Sequence, residues 1–213
     1  IPGVAGFRRP DGKPAGGPDR RALAHERVRF VGEPVVAVLA DTLQQARDAA
    51  EAVYVEYEEL PTVVTVPAAL AAGAPVLSEE GAPGNICAEM RHGDAKAAQA
   101  AFAQAAHVVH LKIHNQRLAA VTLEPRSILA APEAPGSSRT VLQMSTQMPT
   151  GVRDTLAAML GIANTELRVL VSDVGGGFGM KTGLYPEDAV VGFAARELKR
   201  PVKWIADRSE EFL

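Results

Sequence analysis

A glycine-rich stretch, SDVGGGFGMKT at residues 172–182, has the composition of a ligand-binding loop. It matches most of the pattern G-x-x-x-x-G-K-[ST], in which loop amides and a lysine hold nucleotide phosphates. Counted from Gly175, however, that pattern requires glycine at the position of Met180. Pro186 also delays the next helix beyond Lys181–Thr182, whereas a phosphate loop begins its helix there. The sequence therefore disfavours a nucleotide triphosphatase, although that alternative stays open.

The dinucleotide fingerprint G-x-G-x-x-G fits no better, because its third glycine would again fall on Met180. A tight turn is the simpler interpretation of a glycine run, since glycine adopts positive φ without strain. Three consecutive glycines, Gly175 to Gly177, nevertheless lose more conformational entropy on ordering than a turn requires. With Phe178 beside them, they are typical of a backbone that closely approaches a bulky ligand, with one aromatic ring as a wall.

Two further groups of residues could do chemistry, and both have a simpler interpretation. His110 and His114 share one face of a predicted strand and His107 lies on the other, so we expect no convergent metal site. Glu124 and Arg126 alternate on one face of another predicted strand and could form an ion pair. We interpret that pair as structural, with a place beside a cofactor as the alternative.

The overall composition is that of a globular protein with one large or two small domains. The chain has 213 residues, of which 47% are hydrophobic and 22% charged. Its net charge of −3 lacks the excess of positive charge that is typical of nucleic-acid binding. We expect no membrane segment and no signal peptide, because no apolar run is long enough and the N-terminus lacks that layout. One cysteine, Cys87, excludes an intrachain disulfide and suggests a reducing, cytoplasmic setting.

Hydrophobic periodicity predicts an α+β chain. Residues 28–40 are β-rich, Asp41 is placed to cap a helix that runs to residue 53, and residues 53–58 alternate like a strand. A helix starting at Pro149 or Thr150 should end at Leu160, because Gly161 follows. The remaining predicted elements are a helix capped by Asp94, a strand at 107–117, a strand at 140–146, a strand at 166–173, a helix from Pro186 and a strand from Pro201.

Five segments, in order, resemble the molybdenum-binding large subunits of the xanthine dehydrogenase, aldehyde oxidase and carbon monoxide dehydrogenase family. The segments are VRFVGEPVVAVLADT with AAEAVYVEYEELPTVV, LEPRSILA, MSTQMPTGVRDTLAAMLGI, DVGGGFGMK and RPVKWIADRSE. The resemblance covers residues 28–213. It implies an incomplete hammerhead-like α/β domain at residues 1–75, a linker at 76–93, and the first part of a molybdopterin-binding α+β domain at 94–213.

The resemblance also assigns site residues. The matching phenylalanine of the family lies beside the metal with its amide near an oxygen ligand, which implies this place for Phe178. The matching glutamine lies at the apical side of the metal, which implies that place for Gln147. Both residues are therefore expected to contact the cofactor and to act in catalysis, and Gly176, Gly177 and Gly179 are expected to shape the loop against the pterin. No side chain of this chain is expected to ligate the metal.

The implied chemistry is oxidation of a carbon centre in an aldehyde, an N-heterocycle or carbon monoxide, with oxygen derived from water. The implied cofactor is molybdopterin, in a dinucleotide form, with molybdenum. A [2Fe-2S] cluster and FAD are expected on partner subunits or domains, and the remainder of the large subunit is a further expected partner. Thr182 stands where purine-oxidising relatives have glutamate, which argues against a purine substrate.

The family's catalytic glutamate and later pterin-binding segments lie in motifs that this sequence does not contain. The isolated chain is therefore expected to be inactive and to represent a piece of a catalytic subunit. The alternative is a non-catalytic module that binds the cofactor or another subunit.

Overall fold

The computed structural model of the chain describes residues 8–17 and 20–212. These residues form two compact units. One combines the described part of Ile1–Arg20 with Val55–Arg117, and the other combines Arg21–Tyr54 with the described part of Leu118–Leu213. Mixed helix and strand confirm the predicted α+β class. None of the described helices is long and apolar enough to cross a membrane.

A four-stranded sheet forms the centre of the second unit. Its strands are β1 at Ser127–Pro132, β2 at Thr140–Met144, β3 at Leu167–Leu170 and β4 at Val202–Ile205. They lie in the order β3-β2-β1-β4, in which β1 pairs antiparallel with both β2 and β4, and β2 pairs parallel with β3. The inward side chains of β1 and β2 are buried and contribute Ile128, Ala130, Leu142 and Met144 to the core.

Two helices cover this sheet, and both begin where the sequence indicates. Helix α4, Pro149–Leu160, begins at a proline and ends at Gly161, whose φ of 66° is the left-handed cap that glycine adopts easily. Helix α5, Pro186–Leu198, also begins at a proline. The two helices approach closely at Gly192, where an added Cβ would lie 2.9 Å from Leu156. Val152, Leu156 and Ala195 are fully buried and join the core of the sheet.

The second unit also contains helix α1, Leu43–Glu51. The prediction that Asp41 caps this helix is wrong, because Thr42 accepts from the Gln45 amide and Gln45 reciprocates in a capping box. Asp41 instead pairs with Arg200 at 3.0 Å.

The first unit contains helix α2 (Val66–Ala69), helix α3 (Ala95–Gln104) and a short 3₁₀ turn at Pro83–Asn85. Asp94 accepts from two amides at the start of α3, which confirms the predicted cap. Asn85 ties the segment between the helices together, because its side chain bonds the backbone of Ala69, Pro75 and Leu77. The domain boundaries near residues 75 and 93 stay predictions.

The two short strands predicted within 28–40 and the strands predicted at 53–58 and 107–117 are wrong, because none of these residues belongs to a β-ladder. A strand is stabilised by a ladder of hydrogen bonds to a neighbouring strand, and these segments form no such ladder with any of the residues that the structure describes. Their large apolar side chains are consequently exposed, as Tyr54, Val109 and Leu111 show.

Candidate functional site

Three segments meet at one edge of the sheet because of its topology. β2 and β3 are parallel, with Gln143 opposite Leu170, so the residues that follow both strands lie at the same edge. β1 runs antiparallel to β2, and the Ser145 amide donates to the Ser127 carbonyl, so the segment before β1 also reaches this edge. The segments are 122–126, 145–148 and the glycine loop, 172–182. Ligands often bind beyond the carboxyl ends of parallel strands.

Gln147 holds the far end of the glycine loop. Its Oε1 accepts from the amides of Gly179 at 3.1 Å and Lys181 at 3.3 Å. The backbone amide of Gln147 donates to the Lys181 carbonyl at 2.8 Å. Since two backbone donors face the side-chain amide, the oxygen must point at them, and the NH₂ group points elsewhere. Gln147 is exposed, so this oriented NH₂ is available to a ligand.

The glycines of the loop allow this close approach. A Cβ on Gly177 would lie 2.4 Å from Cδ of Gln147, which leaves no room for any side chain. Gly176 and Gly179 have φ of +102° and +88°, values that glycine adopts readily. Phe178 has a φ of 48° although it is not glycine, and it is 77% exposed. A bulky residue in this conformation is rare, and such strain clusters at binding sites.

Consecutive backbone donors of the loop have no acceptor among residues 8–17 and 20–212. The amides of Gly176, Gly177 and Phe178 donate to none of the residues that the structure describes, whereas Met180 donates to the Gly177 carbonyl at 2.8 Å. Preorganised donors of this kind suit an anionic or oxygen-rich ligand.

Lys181 belongs to the loop, but its side chain is buried and the residue is only 1% exposed. Its Nζ donates to the Glu124 carbonyl at 2.9 Å and to Glu124 Oε2 at 3.0 Å. Because this lysine is buried and paired, it does not present its charge to a phosphate. This geometry argues against the nucleotide triphosphatase alternative.

Glu124 Oε2 also accepts from the Gly175 amide and from Ser145 Oγ, each at 2.7 Å. Burial opposes ionisation, but the hydrogen bonds from Ser145, Lys181 and Gly175, with the charge of Lys181, lower the pKa of Glu124. Glu124 therefore carries its charge at neutral pH.

Arg126 supports the loop from a second direction. Its guanidinium lies 4.0 Å from the centre of the Tyr185 ring, and the Tyr185 hydroxyl donates to the Met180 carbonyl of the loop. Arg126 pairs with Glu187 at 3.1 Å and with the buried Glu211 at 3.2 Å. The expected ion pair between Glu124 and Arg126 is therefore wrong, because each has a different partner.

The structure thus brings Gln147, Phe178, Gly176, Gly177 and Gly179 into one loop-and-edge site. Sequence reasoning missed Ser145 and the pairing of Lys181 with Glu124. No group of three or more His, Cys, Asp or Glu within residues 8–17 and 20–212 could hold a metal ion.

Comparison with known proteins agrees with this geometry. A family model described as "Molybdopterin cofactor-binding domain" matches residues 78–213, and one described as "Aldehyde oxidase and xanthine dehydrogenase, a/b hammerhead domain" matches residues 7–61. The chain belongs to the molybdopterin-binding large-subunit family of xanthine dehydrogenase, aldehyde oxidase and carbon monoxide dehydrogenase, a family of oxidoreductases. The resemblance read from the sequence is confirmed.

Similar proteins include the nicotine 6-hydroxylase large subunit of Paenarthrobacter nicotinovorans, 40% identical over 90% of this chain and 23% of that protein. The carbon monoxide dehydrogenase large chain of Hydrogenophaga pseudoflava is 37% identical over 88% of this chain and 25% of its own length. Quinoline 2-oxidoreductase of Pseudomonas putida 86 matches in structure with a TM-score of 0.81 and 38% identity, over 99% of this chain and 25% of that one. The chain therefore spans about a quarter of the length of these relatives.

Proposed function

We propose that this chain provides one wall of the active site of a molybdenum hydroxylase. The observation that carries the proposal is the arrangement of Gln147 and the loop. The Gln147 oxygen is held by two loop amides, so its NH₂ and the free amides of Gly176, Gly177 and Phe178 remain as donors. The site fits an oxygen-rich cofactor, because the glycines leave space and the donors need acceptors.

In this proposal, Gly176, Gly177 and Gly179 let the backbone approach the cofactor, and the Phe178 amide and Gln147 NH₂ donate to its oxygen atoms. When bound, the molybdenum cofactor supplies the two-electron chemistry that introduces water-derived oxygen into a carbon centre. The chain's own part is to fix donors before reaction, so that they stabilise developing negative charge without reorganising. The exposed ring of Phe178 provides an apolar surface beside the reacting carbon.

The proposed substrate class is an aldehyde, an N-heterocycle or carbon monoxide. Relatives named for nicotine, quinoline and carbon monoxide support this range. The proposed pterin is a dinucleotide form. The catalytic base is proposed to lie outside these residues, as the family resemblance implies, so the chain alone is proposed to be inactive.

The proposed partners are the remainder of the large subunit and the subunits or domains that carry the [2Fe-2S] cluster and FAD, in the cytoplasm. Exposed apolar side chains of the segment 108–113, within the first unit, support a covering partner, since surfaces of soluble proteins seldom expose so many in succession. These side chains are Val108, Val109, Leu111 and Ile113.

The test is to purify the assembled enzyme that contains this chain and to measure molybdenum by mass spectrometry. Turnover is then measured with an aldehyde, an N-heterocycle and carbon monoxide, and protein from cells grown with tungstate serves as the control. The proposal expects stoichiometric molybdenum and activity that tungstate abolishes. Absence of bound molybdenum, or equal activity after growth on tungstate, would overturn it.

A further inference from the structure

The ion pair of Lys181 and Glu124 lies directly against the start of the glycine loop. Lys181 Nζ and Glu124 Oε2 are 3.0 Å apart, and the lysine side chain is fully buried while 34% of the glutamate side chain is exposed. A buried ammonium is stable only when it is paired and hydrogen-bonded. Lys181 therefore holds the Glu124 carboxylate in one place.

A single oxygen of Glu124 collects three donors. Oε2 accepts from Lys181 Nζ, from Ser145 Oγ and from the Gly175 amide. Lys181 and Gly175 lie towards the two ends of the glycine loop, and Ser145 follows β2. The carboxylate thereby connects the loop to the sheet edge at Gly175, immediately before the three amides that have no acceptor in the described part of the chain.

The backbone of Gly175 lies as close to the Glu124 side chain as sterics allow. A Cβ on Gly175 would lie 2.4 Å from Cβ of Glu124, and the Glu124 amide donates back to the Gly175 carbonyl at 3.3 Å. Gln147 fixes the loop from Gly179 onward, so Glu124 is the side chain that fixes its beginning. Between these two fixed points, the directions of the Gly176 to Phe178 amides are set.

We propose that Glu124, locked by Lys181, is a positioning residue of the site, which aims the Gly176, Gly177 and Phe178 amides by holding the Gly175 amide. This inference rests on the proposed function, because the aimed amides matter for catalysis only if they meet the cofactor. Glu124 itself acts through the loop and does not touch the reacting atoms.

Two double variants distinguish the effect of holding the Gly175 amide in position from the effect of leaving a buried charge without a partner. Glu124→Leu with Lys181→Met removes both charges and the acceptor for the Gly175 amide. Glu124→Gln with Lys181→Met also removes both charges but keeps a carbonyl acceptor. Neither leaves a lone buried charge, which is the change that destabilises most. Glu133→Gln with Arg168→Met removes an exposed pair of 3.3 Å elsewhere in the same unit and serves as the control.

Each protein is purified as the assembled enzyme and compared in three measurements: amide exchange at Gly175, molybdenum content, and kcat with KM. With the leucine variant, we expect faster exchange at Gly175 and a kcat lower by about 10- to 100-fold, with KM and molybdenum little changed. The kcat of the glutamine variant should stay within about threefold of that of the control, because the glutamine carbonyl still accepts from the Gly175 amide, although this neutral hydrogen bond is weaker than the charge-assisted bond that it replaces. Equal exchange and equal kcat in the two double variants would overturn the proposal.

Ser145→Ala provides a second route if the leucine variant does not fold. It removes one donor to Glu124 Oε2, and Ser137→Ala, at a serine that bonds only its local turn, is the matched control. Faster exchange at Gly175 in Ser145→Ala alone supports the proposal, and equal exchange in both variants contradicts it. If the wild-type protein binds no molybdenum, the proposed function fails, while the exchange comparison still decides the role of Glu124.

Discussion

Gln147 and Gly177 are in such close contact that a Cβ on the glycine would lie 2.4 Å from Cδ of the glutamine. The position therefore admits only glycine while Gln147 keeps its bonds to Gly179 and Lys181. The fit of these two residues decides where the Gln147 NH₂ points, and with it the shape of the proposed cofactor site.

Gly177→Ala is expected to displace Gln147 and to lower kcat of the assembled enzyme by about 10- to 100-fold, as for other residues that support a metal site. Gly183→Ala is the matched control, because its added Cβ meets nothing within 4 Å and its φ is not positive. Steady-state kinetics of both variants provide the measurement. Equal kcat values would show that the contact with Gln147 does not matter.

Gln147→Ala is expected to free the amides of Gly179 and Lys181 and to reduce kcat by about 10- to 100-fold while molybdenum stays bound. Gln143→Ala is the control, since Gln143 is an exposed residue of β2 just four positions earlier. Kinetics and metal analysis of the two variants decide the matter. Wild-type turnover in Gln147→Ala would remove Gln147 from the active site.

Phe178 has a φ of 48°, so glycine should suit this position better than alanine. We expect Phe178→Gly to unfold with a free energy about 1 kcal/mol higher than Phe178→Ala, because glycine relieves the left-handed strain. Phe193, exposed on helix α5, should show the opposite sign, with glycine about 1 kcal/mol less stable than alanine. Urea unfolding of the four variants tests this prediction. If the difference in free energy of unfolding between the glycine and alanine variants has the same sign at both positions, Phe178 is not strained.

Asp188 should make the stability of the chain depend on pH. Burial raises the pKa of Asp188 from 3.8 to about 7, although the hydrogen bond from the Tyr185 amide acts to lower this pKa. The folded state binds the proton of Asp188 more tightly than the unfolded state does. This difference in proton binding therefore contributes fully to the free energy of unfolding below about pH 4. The contribution is lost as the pH rises through about 7.

Asp188→Asn removes this titration and keeps an acceptor for the Tyr185 amide. Relative to wild type, its free energy of unfolding should rise by about 2–3 kcal/mol between pH 5 and pH 8. Asp154→Asn, at an exposed site in α4, is the matched control for the loss of one carboxylate. A wild-type curve parallel to that of Asp188→Asn would show that Asp188 has an ordinary pKa.

The sequence predicts well where local signals are strong. Pro149 and Gly161 define the ends of α4, and Pro186 defines the start of α5, because proline and glycine act on the backbone at their own positions. The glycine loop and Gln147 are recognisable by motif. Their meeting at one edge follows from the parallel pairing of β2 and β3, which the sequence does not specify.

Long-range pairing is what local reasoning misses. Lys181 and Glu124 lie 57 positions apart, and nothing in the composition of either segment indicates their contact. Residues 107–117 alternate correctly for a strand, yet a strand also requires a partner that alternation cannot reveal.

Amide hydrogen exchange of the glycine loop, compared between molybdenum-loaded enzyme and cofactor-free enzyme, tests the central claim most directly. If the free amides of Gly176, Gly177 and Phe178 meet the cofactor, they should exchange more slowly in the loaded enzyme, and helix α3 should be unchanged. Identical exchange of the loop in both forms would contradict the placement of the cofactor at this edge.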